Sequence, residues 1–321
     1  MIKKILLISG DPYSINSEII YKSYIKLNKS LKKRIYLISN FDLINEQLRK
    51  LGYFINLQKV KNLEETVLSE KLKILDVKLN FKDPFLISRK ESSNFVKNSL
   101  LKAHHLAQRN DVIGIVNCPI DKGLLHKNNL GVTEFLASKC NIKKNSEVML
   151  ISNEKISVCP ITTHTNLRNI PKAISSKLII TKIKTIQHWF KKKFKKKPKI
   201  CILGLNPHNG ELLKNSEERK IIIPSIKKLK KMKIDIKGPY PADTIFINNY
   251  KNFNVIVGMY HDQVLAPFKS LYKFEAINIT LGLNYNRVSP DHGTAIDLIG
   301  KDKANETSLL KCINFINKLE K

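Results

Sequence analysis

Residues 255–269 read VIVGMYHDQVLAPFK, and this stretch decides the fold class because it joins a strand to polar residues. Val255, Ile256 and Val257 form an apolar run of strand formers, and His261 and Asp262 follow it side by side. Polar residues here can simply mark the place where a strand reaches the surface. They can also form a ligand site, because open α/β sheets bind ligands at the carboxyl ends of their strands. The rest of the chain has to distinguish these two interpretations.

Short apolar runs bounded by turn residues alternate along the chain with longer segments of helical periodicity. The predicted strands are 5–9, 34–39, 112–117, 148–152, 200–205, 254–259 and 276–280. The predicted helices are 17–27, 94–108, 172–193 and 216–231. This alternation predicts an α/β protein with mostly parallel sheets covered by helices. A length of 321 residues favours two domains.

The formal charge of +30 has the sign that nucleic-acid binding needs. However, only seven of the 57 basic residues are Arg, and the abundance of Lys, Ile and Asn is typical of an AT-rich genome. The densest run, KKKFKKKPK at 191–199, fits the solvated end of a helix. We therefore do not expect nucleic acid as a partner, although the positive field would attract anionic substrates.

The five cysteines, at positions 118, 140, 159, 201 and 312, contain no CxxC pair. Their number and spacing argue against a disulfide framework or a thiolate zinc site, and for a reducing compartment. The first residues, MIKKILLISGDP, have an apolar stretch too short for a signal peptide, so they are interpreted as a strand. No window is long enough to span a membrane. The sequence thus predicts a cytoplasmic protein with no membrane partner.

Four histidines end or closely follow predicted strands: His164 in CPITTHTNLR, His208 in LGLNPHNGE, His261 in GMYHDQ and His292 in SPDHGTAID. A single histidine at a strand end is more often an ordinary surface residue than a ligand. Several histidines at one sheet edge favour a metal site, because neutral imidazoles are common metal ligands. Three of them with an open coordination position would form a catalytic metal site.

Two acids and one lysine are candidate catalytic residues. Asp262 lies beside His261, and Asp243 lies in GPYPADTIF. A carboxylate near a metal-bound histidine can orient the imidazole or act as a base, whereas each acid alone could equally be a turn or helix cap. Lys122, in CPIDKG, is the third candidate.

A candidate anion site consists of Lys269, Asn278 and Arg287, which lie nine residues apart each time across a strand-like segment. An ammonium, an amide and a guanidinium together suit a phosphate monoester, and Arg supplies a fork of donors. Arg287 is the most informative of the three, since this chain contains so few arginines.

No Rossmann or Walker fingerprint follows the first strand, where the chain reads GDPYSINSE. A cofactor loop is instead predicted in DHGTAIDLIGKDKANETS at 291–308. Its glycine, Gly293, would allow close backbone approach, and His292, Asp297 and Asn305 offer polar groups for a ribose or an adenine. The pattern HGTA-x-D-x-x-GK-x-x-AN, which includes Thr294, resembles the loop by which isocitrate and isopropylmalate dehydrogenases bind NAD or NADP.

Nine motifs, in order from end to end, resemble the 4-hydroxythreonine-4-phosphate dehydrogenase family. They are GDP…E, CPIDKG, GVTEFLA, TTHTNLR, LGLNPHNGE, GPYPADTIF, MYHDQVLAPFK, NITLGL and DHGTAIDL. The resemblance implies a homodimeric, metal-dependent NAD enzyme of pyridoxal phosphate biosynthesis. It implies two α/β/α domains with an active-site cleft between them, as in isocitrate dehydrogenase.

For individual residues, the resemblance implies that His164, His208 and His261 bind a divalent metal such as zinc, magnesium or cobalt, with ligands from both subunits. It also implies that Lys269, Asn278 and Arg287 hold the substrate phosphate and that Thr133 contacts the substrate. We expect residues 1–130 and 285–321 to form the domain with the cofactor loop. Residues 131–284 would form the domain with the metal and phosphate ligands and the dimer contacts.

The implied reaction is oxidation of 4-phosphohydroxy-L-threonine by NAD to a 3-oxo acid, which loses carbon dioxide to give 3-amino-2-oxopropyl phosphate. Asp243 is our candidate for the base. Three segments depart from the family pattern: residues 10–18, residues 209–218, and Val132, where the family has a substrate-contacting His. Alternatives left open are the same chemistry on a phospho-threonate or phospho-erythronate, a phosphate acyltransferase-like protein, and a drifted protein that binds phosphate or RNA.

Overall fold

The structure is a computed structural model that describes residues 3–65, 70–125, 131–140, 142, 146–273 and 275–320. The side chains of Lys122, Leu212 and Asn248 lie outside the described part. Within the described ranges no helix is long and apolar enough to cross a membrane.

Strands and helices alternate along most of the chain, as the periodicity predicted. The strands are β1 Lys4–Ile8, β2 Ile35–Ser39, β3 Leu57–Val60, β4 Leu72–Asp76, β5 Val112–Asn117, β6 Val148–Ser152, β7 Ser157–Pro160, β8 Ile200–Leu203, β9 Ile236–Tyr240, β10 Val255–Gly258, β11 Ile277–Leu281 and β12 Asn286–Pro290. The helices are α1 Asn16–Ile25, α2 Lys29–Lys32, α3 Phe41–Lys50, α4 Arg89–Ala107, α5 Val132–Lys139, α6 Ile170–Ala173, α7 Ser176–Phe194, α8 Ile223–Lys231, α9 Ala242–Asn248, α10 His261–Tyr272 and α11 Thr307–Lys318. The α/β fold class is thereby confirmed.

The chain forms two compact units, one of residues Met1–Asn141 with Leu283–Lys321 and one of residues Ile142–Gly282. The boundaries differ from those predicted at 130/131 and 284/285. Helix α5, expected in the second domain, belongs to the first unit because it packs against α4 and the turn Lys122–Leu125. The assignment of the cofactor loop to one domain and of the metal and dimer contacts to the other stays a prediction.

The strand order in the first unit is β3-β4-β2-β1-β5-β12, and every neighbouring pair is parallel. Strands β2 and β5 are buried at every position, as parallel strands covered on both faces should be. Helices α4 and α11 both pack on β1 and β5. Gly114 in β5 is required by packing, because a Cβ there would lie 2.3 Å from the carbonyl oxygen of Asn286 in β12.

The second unit has the strand order β11-β6-β7-β10-β8-β9. The pairs β11–β6 and β6–β7 are antiparallel, and β7, β10, β8 and β9 run parallel. Helix α10 packs on β7 and β10 around a core that includes Val158, Ile256 and Phe268. Burying such a side chain fully contributes about 1.5–3 kcal/mol to stability.

The local sequence explains where helix α7 begins and ends. Ser175 accepts a hydrogen bond from the backbone N–H of Leu178 at 3.2 Å and so caps α7. The same helix ends in exposed lysines, where Lys195 adopts a left-handed conformation with φ of 56°. The basic run at 191–199 is therefore a solvated helix end followed by strand β8, as predicted.

Candidate active site

Three of the four candidate histidines follow adjacent parallel strands of the second unit. His164 comes after β7, His261 after β10 and His208 after β8, and β10 lies between the other two strands. Because neighbouring parallel strands end at the same edge, these histidines share the carboxyl edge of the sheet. The polar end of the VIVGMYHDQ segment is thus part of a cluster of polar strand ends.

His164 and His261 lie close together because backbone pairing continues beyond the ends of their strands. The N–H of Ile161 donates to the carbonyl of Gly258 at 2.8 Å. Thr162 binds the carbonyl of Met259 through both its N–H, at 3.1 Å, and its hydroxyl, at 2.7 Å. The ring centroids of His164 and His261 are consequently 6.1 Å apart.

The carboxylate of Asp262 orients His261. Its Oδ1 lies 2.6 Å from Nδ1 of His261, and the His261 side chain is 37% exposed. A carboxylate on one ring nitrogen fixes the tautomer and makes the other nitrogen a stronger metal ligand. Asp262 therefore fits the orienting role better than that of a base.

His208 lies in a turn of unusual backbone conformation. Four consecutive residues, His208 to Glu211, have φ between 45° and 59°. Only Gly210 among them tolerates this region without a steric cost, so surrounding contacts must hold the turn. One such contact is the side-chain amide of Asn209, whose Nδ2 donates to the carbonyl of Pro239 at 3.1 Å.

The buried carboxylate of Glu218 supports this turn, and the sequence analysis did not identify it. Its Oε1 accepts from the backbone N–H groups of Leu205 at 2.7 Å and Asn206 at 2.8 Å. Its Oε2 accepts from Nδ2 of Asn206 at 3.0 Å. Glu218 is 0% exposed. Burial acts to raise the pKa of this carboxyl, but the hydrogen bonds outweigh it and the pKa is lowered.

Gln263 connects two of the strand ends directly. Its Oε1 accepts from the N–H of Met259, after β10, and its Nε2 donates to the carbonyl of Gly204, after β8, both at 2.7 Å. Gln263 is 9% exposed, so these two hydrogen bonds account for a polar side chain at a buried position. Its position in MYHDQ, directly after the candidate ligand and its orienting acid, was the available signal.

The donor set suits a divalent metal, since neutral imidazoles with a carboxylate behind one of them are typical zinc or cobalt ligands. Among the described residues of one chain, however, no group of three or more His, Cys, Asp or Glu side chains is placed to hold a metal ion. His164 and His261 come together, and the participation of His208 stays a prediction.

Asp243 lies in the first turn of α9, directly after β9. Helix α9 contacts the turn Pro207–Leu212 that carries His208. The carboxylate of Asp243 is exposed, so a substrate can reach it. The other catalytic candidate, Lys122, begins the turn Lys122–Leu125, and its side chain lies outside the described residues.

Two predicted substrate residues meet in the first unit. Arg287, in β12, is 3% exposed, and its Nε donates to Oδ1 of Asn117 at 2.7 Å. Its Nη1 lies 3.3 Å from the hydroxyl of Thr133. Burial lowers the pKa of the guanidinium to about 10, so the group still carries its charge at neutral pH. A buried guanidinium fixed in orientation is well suited to bind a phosphate.

The other two phosphate candidates belong to the second unit. Lys269 is an exposed residue in the last turn of α10. Asn278 lies in β11, and its buried Oδ1 has no hydrogen-bond partner among the described residues. The segment from 269 to 287 thus contains a helix and two strands, rather than the single strand-like segment expected.

The predicted cofactor loop follows β12 in the first unit. The carbonyl of Thr294 accepts from the N–H of Ile15 at 3.2 Å, which ties this loop to the segment after β1. His292 Nε2 is buried without a hydrogen-bond partner in the described ranges. A Cβ at Gly293 would meet nothing within 4 Å, so packing within the chain does not require glycine there. Both features fit a loop that receives a ligand.

Asp297 and Asn305 are less distinctive. Asp297 is an exposed residue of the short turn Ile296–Leu298. Asn305 accepts the N–H of Thr307 through its Oδ1 at 2.9 Å, at the start of α11. This hydrogen bond forms a local turn before α11, whose N-cap is Glu306, and the contact of Asn305 with a cofactor stays a prediction.

Asp11, in the GDP motif, is a buried carboxyl that the sequence analysis did not select. It is 4% exposed, and it accepts the N–H groups of Tyr13 at 2.9 Å and Asp121 at 3.3 Å. Burial raises its pKa to about 6 although these hydrogen bonds act to lower it.

A raised pKa at Asp11 should make stability depend on pH. The folded chain keeps a proton that the unfolded chain releases near pH 3.8, so the free energy of unfolding should fall by about 3 kcal/mol as pH rises from 4 to above 6. In Asp11→Asn this contribution should be missing. Urea unfolding of both proteins between pH 4 and 7.5 measures the difference. Parallel pH profiles would contradict the assignment.

The sequence is similar to those of several known proteins. A sequence model of the family described as pyridoxal phosphate biosynthetic protein PdxA matches residues 30–316. The 4-hydroxythreonine-4-phosphate dehydrogenase of Sulfurihydrogenibium sp. (strain YO3AOP1) is 36% identical over 97% of this chain and 96% of its own. The enzyme of the same name from Aquifex aeolicus (strain VF5) is 36% identical over 99% of both chains.

A solved structure shows the same similarity in three dimensions. The crystal structure of 4-hydroxythreonine-4-phosphate dehydrogenase from Klebsiella pneumoniae superposes with a TM-score of 0.85 and 28% identity. The alignment covers 99% of this chain and 100% of the other. The fold therefore agrees over nearly the whole length of both chains.

Proposed function

This chain belongs to the pyridoxal phosphate biosynthetic protein PdxA family, and from that premise we propose that it oxidises 4-phosphohydroxy-L-threonine with a nicotinamide cofactor. The product is a 3-oxo acid that decarboxylates to 3-amino-2-oxopropyl phosphate, in pyridoxal 5'-phosphate biosynthesis. The protein is a dehydrogenase that depends on a nicotinamide cofactor and a divalent metal. The main structural support is the pairing of His164 with His261 at 6.1 Å, with Asp262 behind His261.

In this proposal His164, His208 and His261 hold the metal, which is zinc, magnesium or cobalt. A bound divalent cation makes the substrate hydroxyl more acidic and withdraws charge from the developing carbonyl. Asp262 keeps the ring of His261 in the orientation for binding. Glu218 and Gln263 keep the strand ends that carry His208 and His261 in place.

We propose a homodimer in which the two subunits share the ligand set. Four large apolar side chains are exposed shortly after the polar residues of the site: Leu167 (70%), Leu213 (64%), Ile247 (68%) and Leu271 (46%). Exposed apolar residues around a polar site are typical of a surface that another chain covers. A second copy would also supply histidines that complete a set of three.

The proton and the hydride leave the substrate by different routes. Asp243, exposed and next to the His208 turn, accepts the proton of the secondary hydroxyl as the base. The hydride passes from the carbon that bears this hydroxyl to the nicotinamide, so that the alcohol becomes a ketone. The β-keto acid then loses carbon dioxide, and Lys122 is a candidate donor of the proton that replaces it.

Other residues hold the substrate phosphate and the cofactor in place. Arg287, fixed by Asn117 and next to Thr133, is the proposed phosphate ligand of the first unit, and Lys269 and Asn278 keep their predicted role as phosphate ligands. These contacts contribute positioning rather than bond making. His292, Gly293, Thr294, Asp297 and Asn305 contact the cofactor, for which we propose NAD, with NADP as the alternative.

Purified protein should form NADH from NAD and 4-phosphohydroxy-L-threonine, and the rate should fall to background after dialysis against EDTA. Added zinc, magnesium or cobalt should restore it. The absorbance at 340 nm measures the rate, and 4-hydroxy-L-threonine without phosphate is the control substrate. NADH formation that survives EDTA would argue against the metal site. No reaction with this substrate, but turnover of a phosphorylated threonate, would replace the substrate and keep the reaction class.

A further inference from the structure

A polar pocket lies in the second unit, and the proposed reaction does not use it. It has a volume of about 730 Å³, and its lining includes Lys155, Lys199 and Asn254. These three residues stand just before β7, β8 and β10, whereas the histidines follow the same strands. The pocket is therefore at the opposite edge of the sheet, about 13 Å away for a four-residue strand.

The lining is strongly positive. It contains Lys155, Lys199, Lys237 and Lys251, against the single carboxylate of Asp235. Within the described residues, none of these five side chains forms an ion pair within 4.0 Å. Like charges that converge on a hollow without counterions raise the local concentration of anions. The surplus of three positive charges is complementary in sign to an oligophosphate.

The backbone that carries these lysines is well fixed. The N–H of Lys199 donates to Oδ1 of Asn254 at 2.8 Å, and its carbonyl accepts from the N–H of Asn254 at 2.9 Å. Lys237 lies in β9 opposite Cys201 of β8, which follows Lys199 by two residues. The side chains of Lys199, directly before β8, and Lys237, in β9, thus extend from neighbouring backbone segments. A ligand would have to order their flexible stems but not the main chain.

The pocket offers little to a flat apolar ring. Tyr240 and Phe253 form part of its lining and contact each other edge to face, with ring centroids 5.7 Å apart. Phe253 is 8% exposed, so little of its face is left for stacking. Three asparagines, Asn249, Asn252 and Asn254, add amide donors. Recognition would therefore depend on charge and hydrogen bonds.

We infer that this pocket binds the oligophosphate chain of a small molecule, independently of the dehydrogenase reaction. Its volume lies within the range of small-molecule sites, about 300–1,000 Å³. Single-stranded RNA, the other polyanion that a basic surface attracts, is recognised largely by stacking on aromatic faces, of which this lining offers only the partly buried ring of Tyr240. Inorganic oligophosphate and nucleoside triphosphates share the chemistry that the pocket recognises.

The test is calorimetric titration of the full-length protein, in EDTA, with sodium tripolyphosphate. Wild type should bind one equivalent, and Lys199→Gln/Lys237→Gln should bind at least tenfold more weakly. The control pair Lys227→Gln/Lys230→Gln, at exposed positions on α8, removes the same charge and should change affinity less than twofold. Arg287→Lys, altered in the proposed substrate site, should bind as wild type does. Melting curves check that all variants fold.

A second titration with ATP separates the two sources of the ligand. Equal affinity for ATP and tripolyphosphate would support a site for the phosphate chain alone, and tighter binding of ATP would support a nucleotide site. If Lys199→Gln/Lys237→Gln and Lys227→Gln/Lys230→Gln weakened binding equally, the inference would be overturned. The net charge of the protein, rather than the position of the lysines, would then explain binding. Loss of affinity in Arg287→Lys alone, or RNA binding that exceeds tripolyphosphate binding and depends on the pocket lysines, would also overturn it.

Discussion

Replacing His261 with alanine is expected to abolish metal-dependent NADH formation, with a loss of kcat/KM of more than about 100-fold. Changing a residue that only orients a ligand already costs 10–100-fold, and His261→Ala removes the ligand itself. The ring of His261 contributes to no buried core, since its side chain is 37% exposed. The variant should therefore fold normally. Steady-state rates and metal affinity by competition with a chelator measure the effect.

Two further variants distinguish a loss of metal binding from a general disturbance of the protein surface. Asp262→Asn keeps the ligand and removes the carboxylate from its Nδ1, so metal affinity should fall by about 10–100-fold. His188→Ala removes an exposed histidine of α7 in the same unit and should change neither rate nor affinity. If His261→Ala retained the metal affinity of wild type, the assignment of this edge as the metal site would be wrong.

Replacing Glu218 with alanine is expected to lower the free energy of unfolding by about 3–5 kcal/mol. The carboxylate accepts hydrogen bonds from Leu205 N, Asn206 N and Asn206 Nδ2, and it is fully buried. Alanine would leave the two backbone N–H groups without this acceptor, while Nδ2 of Asn206 would keep only Glu217. Each buried unsatisfied group costs about 1–3 kcal/mol. Urea or thermal unfolding gives the change.

The neighbouring acid provides a matched control for Glu218. Glu217 accepts one hydrogen bond, from Asn206 Nδ2 at 2.8 Å, so Glu217→Ala should cost only about 1 kcal/mol. Because Leu205 and Asn206 lead into the turn that carries His208, Glu218→Ala should also weaken metal affinity under conditions where it is folded. Equal stability losses for the two variants would contradict the special role of Glu218.

The sequence predicted those parts of the fold that depend on local pattern. All seven predicted strands are present, with ends within two residues of the predicted ones. The five that it missed are β3, β4, β7, β9 and β12. Among them, β9 reads IKGPY and β12 reads NRVSP, so a proline and few apolar residues hide the strand pattern. These segments form strands because each hydrogen-bonds to an apolar neighbouring strand, β9 to β8 and β12 to β5.

The candidate site was predictable where a side chain follows a recognisable strand. His261 meets this condition. His164 follows β7, which was not predicted, and its role as a ligand rested on the family resemblance; the structure brings the two rings together. Gln263 and Glu218 were missed because their importance depends on partners distant in the chain: the carbonyl of Gly204 for Gln263 and the backbone after β8 for Glu218. Burial of a polar side chain is a tertiary property, and a single sequence does not reveal it.

The discontinuity of the first unit has a consequence for synthesis of the protein. Its sheet includes β12, which lies beyond residue 282 and follows the whole second unit in the chain. A ribosome therefore releases every residue of the second unit before it releases the strand that completes the first. A chain interrupted before residue 283 would lack Arg287, the predicted cofactor loop and α11 together. Fragments that stop early should thus be defective in folding as well as in phosphate and cofactor binding, which makes them substrates for proteolysis rather than partly active enzymes.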